Sequence, residues 1–184
     1  MTSIESREAA AALDDIEQIV RRVRQSRIYD LASLMMIMWG GLIFAGNVAS
    51  FIRPRQAGYI WIAVNVAGVA GSFAISAATY PRAGVRTFDL RMLAAFLLFF
   101  AFGSATCALG HFGPREMGTF WPIYFMMVYT IAGLWVGYAF VVIGAGISAL
   151  TLIGYFFVGP WFEPWMAVVN GGGLMLGGWW MRRS

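Results

Sequence analysis

The chain has 184 residues, of which 60% are hydrophobic and only 12% are charged, and its formal net charge is +4. Soluble domains carry roughly twice that share of charged residues, so the composition excludes an ordinary soluble domain and favours a membrane protein. Every basic residue is an arginine, and nearly all of them lie near the ends of apolar stretches, which indicates membrane topology and no nucleic-acid partner. The single cysteine excludes an internal disulfide or a CxxC site.

Residues 1–28 are predicted to form a cytoplasmic or interfacial amphipathic helix. Apolar residues recur at three- and four-residue spacings on one face of it, namely Leu13, Ile16, Ile19, Val20 and Val23. Acidic residues come first and arginines last, an order that opposes the helix dipole at both ends. Two interpretations stay open. Residues 2–26 dock on a protein partner or on another copy of the chain, or they lie on the inner membrane surface and lead into the first span.

Residues 29–184 form one predicted domain, an all-α polytopic bundle of about six transmembrane helices. Each predicted span is near the length of about 20 apolar residues that crosses a hydrocarbon core of about 30 Å. The spans are roughly 30–52, 58–80, 90–111, 118–136, 138–159 and 163–181, arranged as hairpins over about 29–80, 88–136 and 138–181. The break between the fourth and fifth spans is expected in the glycine-rich stretch 133–137, with Gly144 and Gly146 as a second choice.

The distribution of arginine predicts that both ends of the chain lie in the cytoplasm. An N-terminus on the inner side places ten arginines inside and leaves three outside, Arg53, Arg55 and Arg115. An even number of spans then returns the C-terminus to the inner side, where Arg182 and Arg183 fit the same rule. The polar start of the chain does not have the pattern of a cleavable signal peptide.

The first two hairpins repeat one pattern at an offset of about 60 residues. Tyr29-Asp30-Leu31 matches Phe88-Asp89-Leu90, and Pro54-Arg55-x-x-Gly58-x-x-Trp61 matches Pro114-Arg115-x-x-Gly118-x-x-Trp121. We expect each aspartate to cap the first turn of its span, each arginine to anchor the outer turn, and each tryptophan to fix the depth of the following helix.

Polar residues inside the predicted spans are few and uncharged. No ionisable carboxylate or arginine is predicted near a midplane, which disfavours a proton-coupled pump. Asn47, Asn65 and Asn170 are the candidates for a polar pocket in a small-solute transporter or channel, and their alternative role is interhelical hydrogen bonding. His111 is the only histidine, so the ligands of a metal site and the members of a catalytic nucleophile–base pair are lacking. We therefore expect no cofactor, no metal and no catalytic chemistry.

The chain shares general features with a known group of proteins through Phe120-Trp121-Pro122, Gly133-Leu134-Trp135, Pro164-Trp165 and Arg182-Arg183. With these features it resembles small bacterial inner-membrane proteins of unknown function, which also carry an arginine-rich N-terminal helix. The resemblance implies an inner-membrane location and a helical fold, and it carries no functional residues across. The expected function is that of a non-enzymatic interaction or regulatory component whose partners are the lipid bilayer and a protein, or another copy, bound through residues 2–26. The alternative is a small-solute transporter.

Overall fold

The computed structural model describes residues 2–79 and 90–183, and every regular element in these ranges is helical. The prediction of an all-α chain is therefore confirmed. The elements are α1 (Thr2–Ile52), a 3-10 turn (Pro54–Gln56), α2 (Ala57–Thr79), α3 (Leu90–Leu109), α4 (Pro114–Val136), α5 (Tyr138–Phe157), a 3-10 turn (Gly159–Trp161), α6 (Phe162–Met166), a π-helix (Ala167–Gly172) and α7 (Gly173–Met181). We call residues 162–181 the C-terminal segment. Asp89 lies outside the described residues.

Four helical stretches are long and apolar enough to cross a membrane. They are Ile28–Ile52, Pro54–Thr79, Pro114–Val136 and Tyr138–Phe157, and they coincide with the first, second, fourth and fifth predicted spans. A shorter apolar helix, Leu93–Leu109, occupies the third. The agreement follows from one physical requirement, since a helix must supply about 20 apolar residues to cross the hydrocarbon. The chain is compatible with a multi-pass membrane protein.

Helix α1 is a single unbroken helix of 51 residues and does not end at residue 28. The backbone N–H groups around Asp30 already bond within this helix, so no free first-turn N–H groups exist there for its side chain to cap. The expectation that Asp30 caps the first span is wrong for this reason. Its backbone carbonyl instead accepts a hydrogen bond from the Ser33 hydroxyl at 2.8 Å.

The chain reverses between α4 and α5 at one residue, Gly137. Its φ of 155° and ψ of 150° fall in a region that glycine alone adopts readily. The break thus lies within the predicted stretch 133–137, whereas Gly144 sits inside α5. A β-carbon added to Gly144 would lie 2.8 Å from the carbonyl oxygen of Met126, so a glycine here allows α4 and α5 to approach closely.

The helices pack in an order that differs from the chain order. Contacts run from α2 to α1, from α1 to the C-terminal segment, and on to α5 and α4. Helix α3 joins α4 mainly through aromatic rings, such as Phe99 and Tyr124, which stack with their centroids 4.1 Å apart. The closest packing therefore joins helices of different predicted hairpins. The buried core lies where α1, α4, α5 and α7 meet, and it includes Met36, Met126 and Leu174.

Candidate functional site

The most irregular part of the bundle is the π-helix at Ala167–Gly172, in the middle of the C-terminal segment. Its sequence ends in glycines that continue into α7, and glycine weakens the preference for regular α-helical winding. A π-helical turn is wider than an α-turn and is found frequently at functional sites. The helix does not stop at the glycines, but its winding changes there. We therefore take this turn and the residues around it as the candidate site.

Asn170 provides the buried polar group of the π-helix. Its side chain is only 3% exposed, and its amide nitrogen lies 3.4 Å from the hydroxyl oxygen of Thr151 on α5 and 3.5 Å from the sulfur of Met166. Thr151 is fully buried. The contacts join the C-terminal segment to α5 through neutral groups, and neither partner titrates in the physiological range. This pair can hold two helices in register, and it does not move a proton.

Helix α1 lies against the other side of the π-helix. A β-carbon added to Gly40 would lie 2.7 Å from the carbonyl oxygen of Gly171, and one added to Gly171 would lie 2.7 Å from Cα of Phe44. One end of α7 shows the same closeness, because a β-carbon on Gly178 would lie 2.7 Å from the carbonyl oxygen of Ser33. The backbones are in contact along this seam, so any larger side chain at these glycines would force them apart.

The buried face of α1 carries two further polar residues near its C-terminal end. Asn47 is 5% exposed, and its amide donates to the carbonyl oxygen of Ile43 at 2.9 Å. Ser50 is 3% exposed, and its hydroxyl oxygen is the one buried side-chain polar atom without a hydrogen-bond partner among the described residues. The sequence showed that these residues were polar, but only the packing of α1 reveals that they are buried.

The three asparagines of the predicted polar pocket do not come together. Asn65 lies on the exposed side of α2, and its amide donates to the carbonyl oxygen of Trp61 in the same helix at 2.8 Å. Asn47 and Asn170 are buried in α1 and the π-helix. A side chain that faces outward and bonds to its own helix does not line an internal pocket. The predicted grouping of Asn65 with Asn170 is therefore not formed.

Arg115, the arginine of the second Pro-Arg pair, has a more extensive role than an anchor of one turn. It extends from the first turn of α4 to the end of α5, where its guanidinium donates to the carbonyl oxygens of Tyr155 at 2.6 Å, Gly159 at 3.3 Å and Gly154 at 3.5 Å. The guanidinium carbon also lies 5.1 Å from the ring centroid of Phe162. A cation at the C-terminal end of a helix is stabilised by the helix dipole. Arg55, the matching residue of the repeat, is exposed on its 3-10 turn.

The paired tryptophans both pack across to the preceding helix. A β-carbon added to Gly46 on α1 would lie 3.7 Å from the Trp61 ring, and one added to Gly103 on α3 would lie 2.8 Å from the Trp121 ring. Each tryptophan therefore rests over a glycine of the helix before it. The sequence pattern identified the tryptophans but not these glycines, because they lie outside the matched motif.

A groove of about 430 Å³ lies between the end of α3 and the start of α4, lined in part by Cys107, His111, Met117 and Trp121. His111 has a φ of 49°, and the amide of Phe112 donates to the carbonyl oxygen of Cys107 at 3.1 Å. This is the helix ending in which glycine normally occupies the left-handed position. The single histidine and the single cysteine are four residues apart in the chain, and both line this groove. In the described ranges no group of three His, Cys, Asp or Glu residues is placed to hold a metal ion.

No family model, curated protein or solved structure matches this chain.

Proposed function

We propose that this chain is a six-span inner-membrane protein with both ends in the cytoplasm, and that it works by presenting residues 2–26 to a protein partner. The observation that carries the proposal is the unbroken α1. The proposal includes no catalytic step and no cofactor. The C-terminal segment is helical over residues 162–181, about 30 Å at 1.5 Å per residue, and this length supports its assignment as the sixth span.

The length of α1 greatly exceeds the thickness of a membrane. Its 51 residues extend about 76 Å, whereas a hydrocarbon core is about 30 Å thick. The apolar stretch Ile28–Ile52 accounts for the crossing. Residues 2–27 then extend the same helix by about 39 Å beyond the span. This geometry supports a rod that projects from the membrane.

The surface of this rod favours contact with protein over contact with lipid. A helix that binds the interface lies in the plane of the membrane surface, whereas the first span crosses it. A chain that did both would need a bend between the two parts, and α1 has no break over residues 2–52. Leu13 and Ile16 are 64% and 56% exposed, so the chain itself leaves these apolar side chains uncovered.

The rest of the bundle is suited to hold this helix in place. The seam between α1 and the C-terminal segment brings the backbones of Gly40 and Gly171 into contact. On the other side of α1, the indole N–H of Trp39 donates to the Ser72 hydroxyl of α2 at 3.0 Å. The C-terminal segment and α2 therefore hold α1 in place within the span. A tilt of the bundle would tilt the projecting rod, and a tilt of the rod would tilt the bundle.

The test is site-specific photo-crosslinking in intact cells. A benzophenone amino acid in place of Leu13 should give adducts with protein, whereas the same group in place of Gln18, on the opposite face of the helix, should give few. Deleting residues 2–26 should remove the partner from the purified protein while the remaining chain still inserts in the membrane. The proposal is wrong if neither position gives protein adducts and the deletion leaves co-purifying proteins and cell phenotype unchanged.

A further inference from the structure

The N-terminal part of α1 carries a short coiled-coil pattern. Residues Ala9, Leu13, Ile16, Val20 and Val23 follow one another at alternating spacings of four and three. These are the a and d positions of a heptad repeat, which form the seam between paired helices. Between residues 9 and 23 no charged residue falls at an a, d or g position. The charges lie at b, c and e, as with Asp14, Asp15 and Glu17, and leave one side of the helix apolar.

The same side of α1 is also open within the span. A helix completes five turns in about 18 residues, so Ile16, Leu34 and Ile52 lie on one side of it, and so do Val23 and Gly41. Ile52 is 69% exposed, and a β-carbon on Gly41 would have no atom within 4 Å. The packed side of α1, with Met36 and Gly40, faces its own bundle. A helix placed along the heptad seam would therefore meet this open side of α1, with Met38, five turns from Val20, at its edge beside Gly71 of α2.

The membrane determines how two such helices can meet. All copies of the chain insert with the same orientation, so their N-terminal rods project on the same side and run parallel. Two identical faces related by a two-fold axis along the membrane normal then coincide residue by residue. The seam spans only about two heptads, which is too short for stable pairing between free peptides in water. Confinement to one membrane raises the effective concentration of the rods and offsets this weakness.

We propose that α1 pairs with α1 of a second copy of this chain in a parallel, in-register coiled coil over residues 9–23. The inference rests on the proposed function and names the partner of the same surface. The seam ends toward the membrane at Arg27, the next a position, because a pair of facing arginines would repel each other. No like charges face each other across the seam itself, since its a, d and g positions are uncharged from residue 9 to residue 23.

The test is cysteine crosslinking in native membranes, because the chain has a single cysteine, Cys107, that Cys107→Ala removes. Single substitutions Leu13→Cys, Ile16→Cys and Val20→Cys are compared with Gln18→Cys on the opposite face. Mild oxidation should give disulfide-linked dimers at the three seam positions with a yield about tenfold or more above that of Gln18→Cys. An antiparallel pair would link only near its centre, so dimers at all three positions establish the parallel register.

A pair of matched variants separates packing from charge. In the Leu13→Cys background, Ile16→Arg with Val23→Arg should abolish dimer formation, whereas Gln18→Arg with Gln25→Arg adds the same charge to the opposite face and should leave it unchanged. The inference is wrong if the seam and control positions give equal dimer yields. It is also wrong if the seam positions crosslink only to a different protein or are buried in lipid. A different protein at the seam leaves the proposed function standing. The absence of any protein contact at the seam overturns both.

Discussion

Replacing Arg115 with glutamine should destabilise the bundle. The guanidinium connects the start of α4 to the last turn of α5 and to the 3-10 turn that follows it through three carbonyl oxygens, of which that of Tyr155 is the closest at 2.6 Å. Carbonyls in the last turn of a helix commonly lack partners within the helix, although that of Gly154 already accepts a hydrogen bond from the amide of Val158 at 3.2 Å. For the Tyr155 carbonyl, Arg115 thus provides a donor that water would otherwise have to supply.

The magnitude follows from these contacts. A hydrogen bond to a charged group contributes about 1.5–3 kcal/mol, and a cation at a helix C-terminus contributes up to about 2 kcal/mol. The bonds to Gly154 and Gly159 are long, at 3.5 and 3.3 Å, and the side chain is partly exposed, so we count the Tyr155 bond fully and the others in part. We therefore expect Arg115→Gln to lower the free energy of unfolding by about 3 kcal/mol.

Arg55 provides the matched control, because it occupies the same position of the sequence repeat and its side chain is exposed. Arg55→Gln should change the free energy of unfolding by less than about 0.5 kcal/mol. The assay is reversible unfolding of each variant in mixed micelles as the fraction of denaturing detergent is raised. The helix content is followed by circular dichroism. Arg115→Lys should recover part of the loss, since an ammonium retains the charge but not the planar fork of donors. Equal stabilities of the Arg115→Gln and Arg55→Gln variants would refute the reasoning.

Three further substitutions test the contact between α1 and the C-terminal segment, and the buried polar groups near it, in the same unfolding assay. Gly40→Ala should cost about 2 kcal/mol, because its β-carbon would lie 2.7 Å from a backbone oxygen of the π-helix, while Gly41→Ala on the open side should cost nothing measurable. Asn170→Ala should cost about 1–2 kcal/mol through the lost hydrogen bond and the cavity left behind, whereas Asn65→Ala should stay within about 0.5 kcal/mol. Ser50→Ala should raise stability by about 1 kcal/mol, since it removes a buried hydroxyl without a partner; a loss of stability would show that this oxygen is bonded after all.

Much of the secondary structure could be predicted from the chain because lipid imposes a simple requirement. A span needs about 20 apolar residues, and its ends are marked by Arg, Pro and Gly, so the ends of four helices follow closely from composition. Gly137 is the clearest case, since it lies in a predicted glycine-rich break and forms the one-residue reversal between α4 and α5. Asp30 is the counter-example. A local pattern for a helix start is overridden when the preceding residues are helical as well.

The candidate site was much less predictable, because polarity along a helix does not say which side of it will be buried. Asn65 and Asn170 each follow a tryptophan at a similar spacing in the sequence. Asn65 is nevertheless exposed, whereas the side chain of Asn170 is buried and only 3% exposed. Which side is buried depends on the neighbouring helices, and for the C-terminal segment these include α1, which is far away in the chain. Arg115 shows the same limit, since its carbonyl partners lie about 40 residues further along.

By itself the sequence determined that the chain is helical, apolar enough for lipid, and divided into helices at particular residues, because these properties depend on local composition and on the thickness of a bilayer. The tertiary structure alone decided which glycines bring backbones into contact, where the helix widens into a π-turn, and that α1 continues as one helix from Thr2 to Ile52. The contacts between glycines and neighbouring backbones involve residues far apart in the chain, which no local pattern contains.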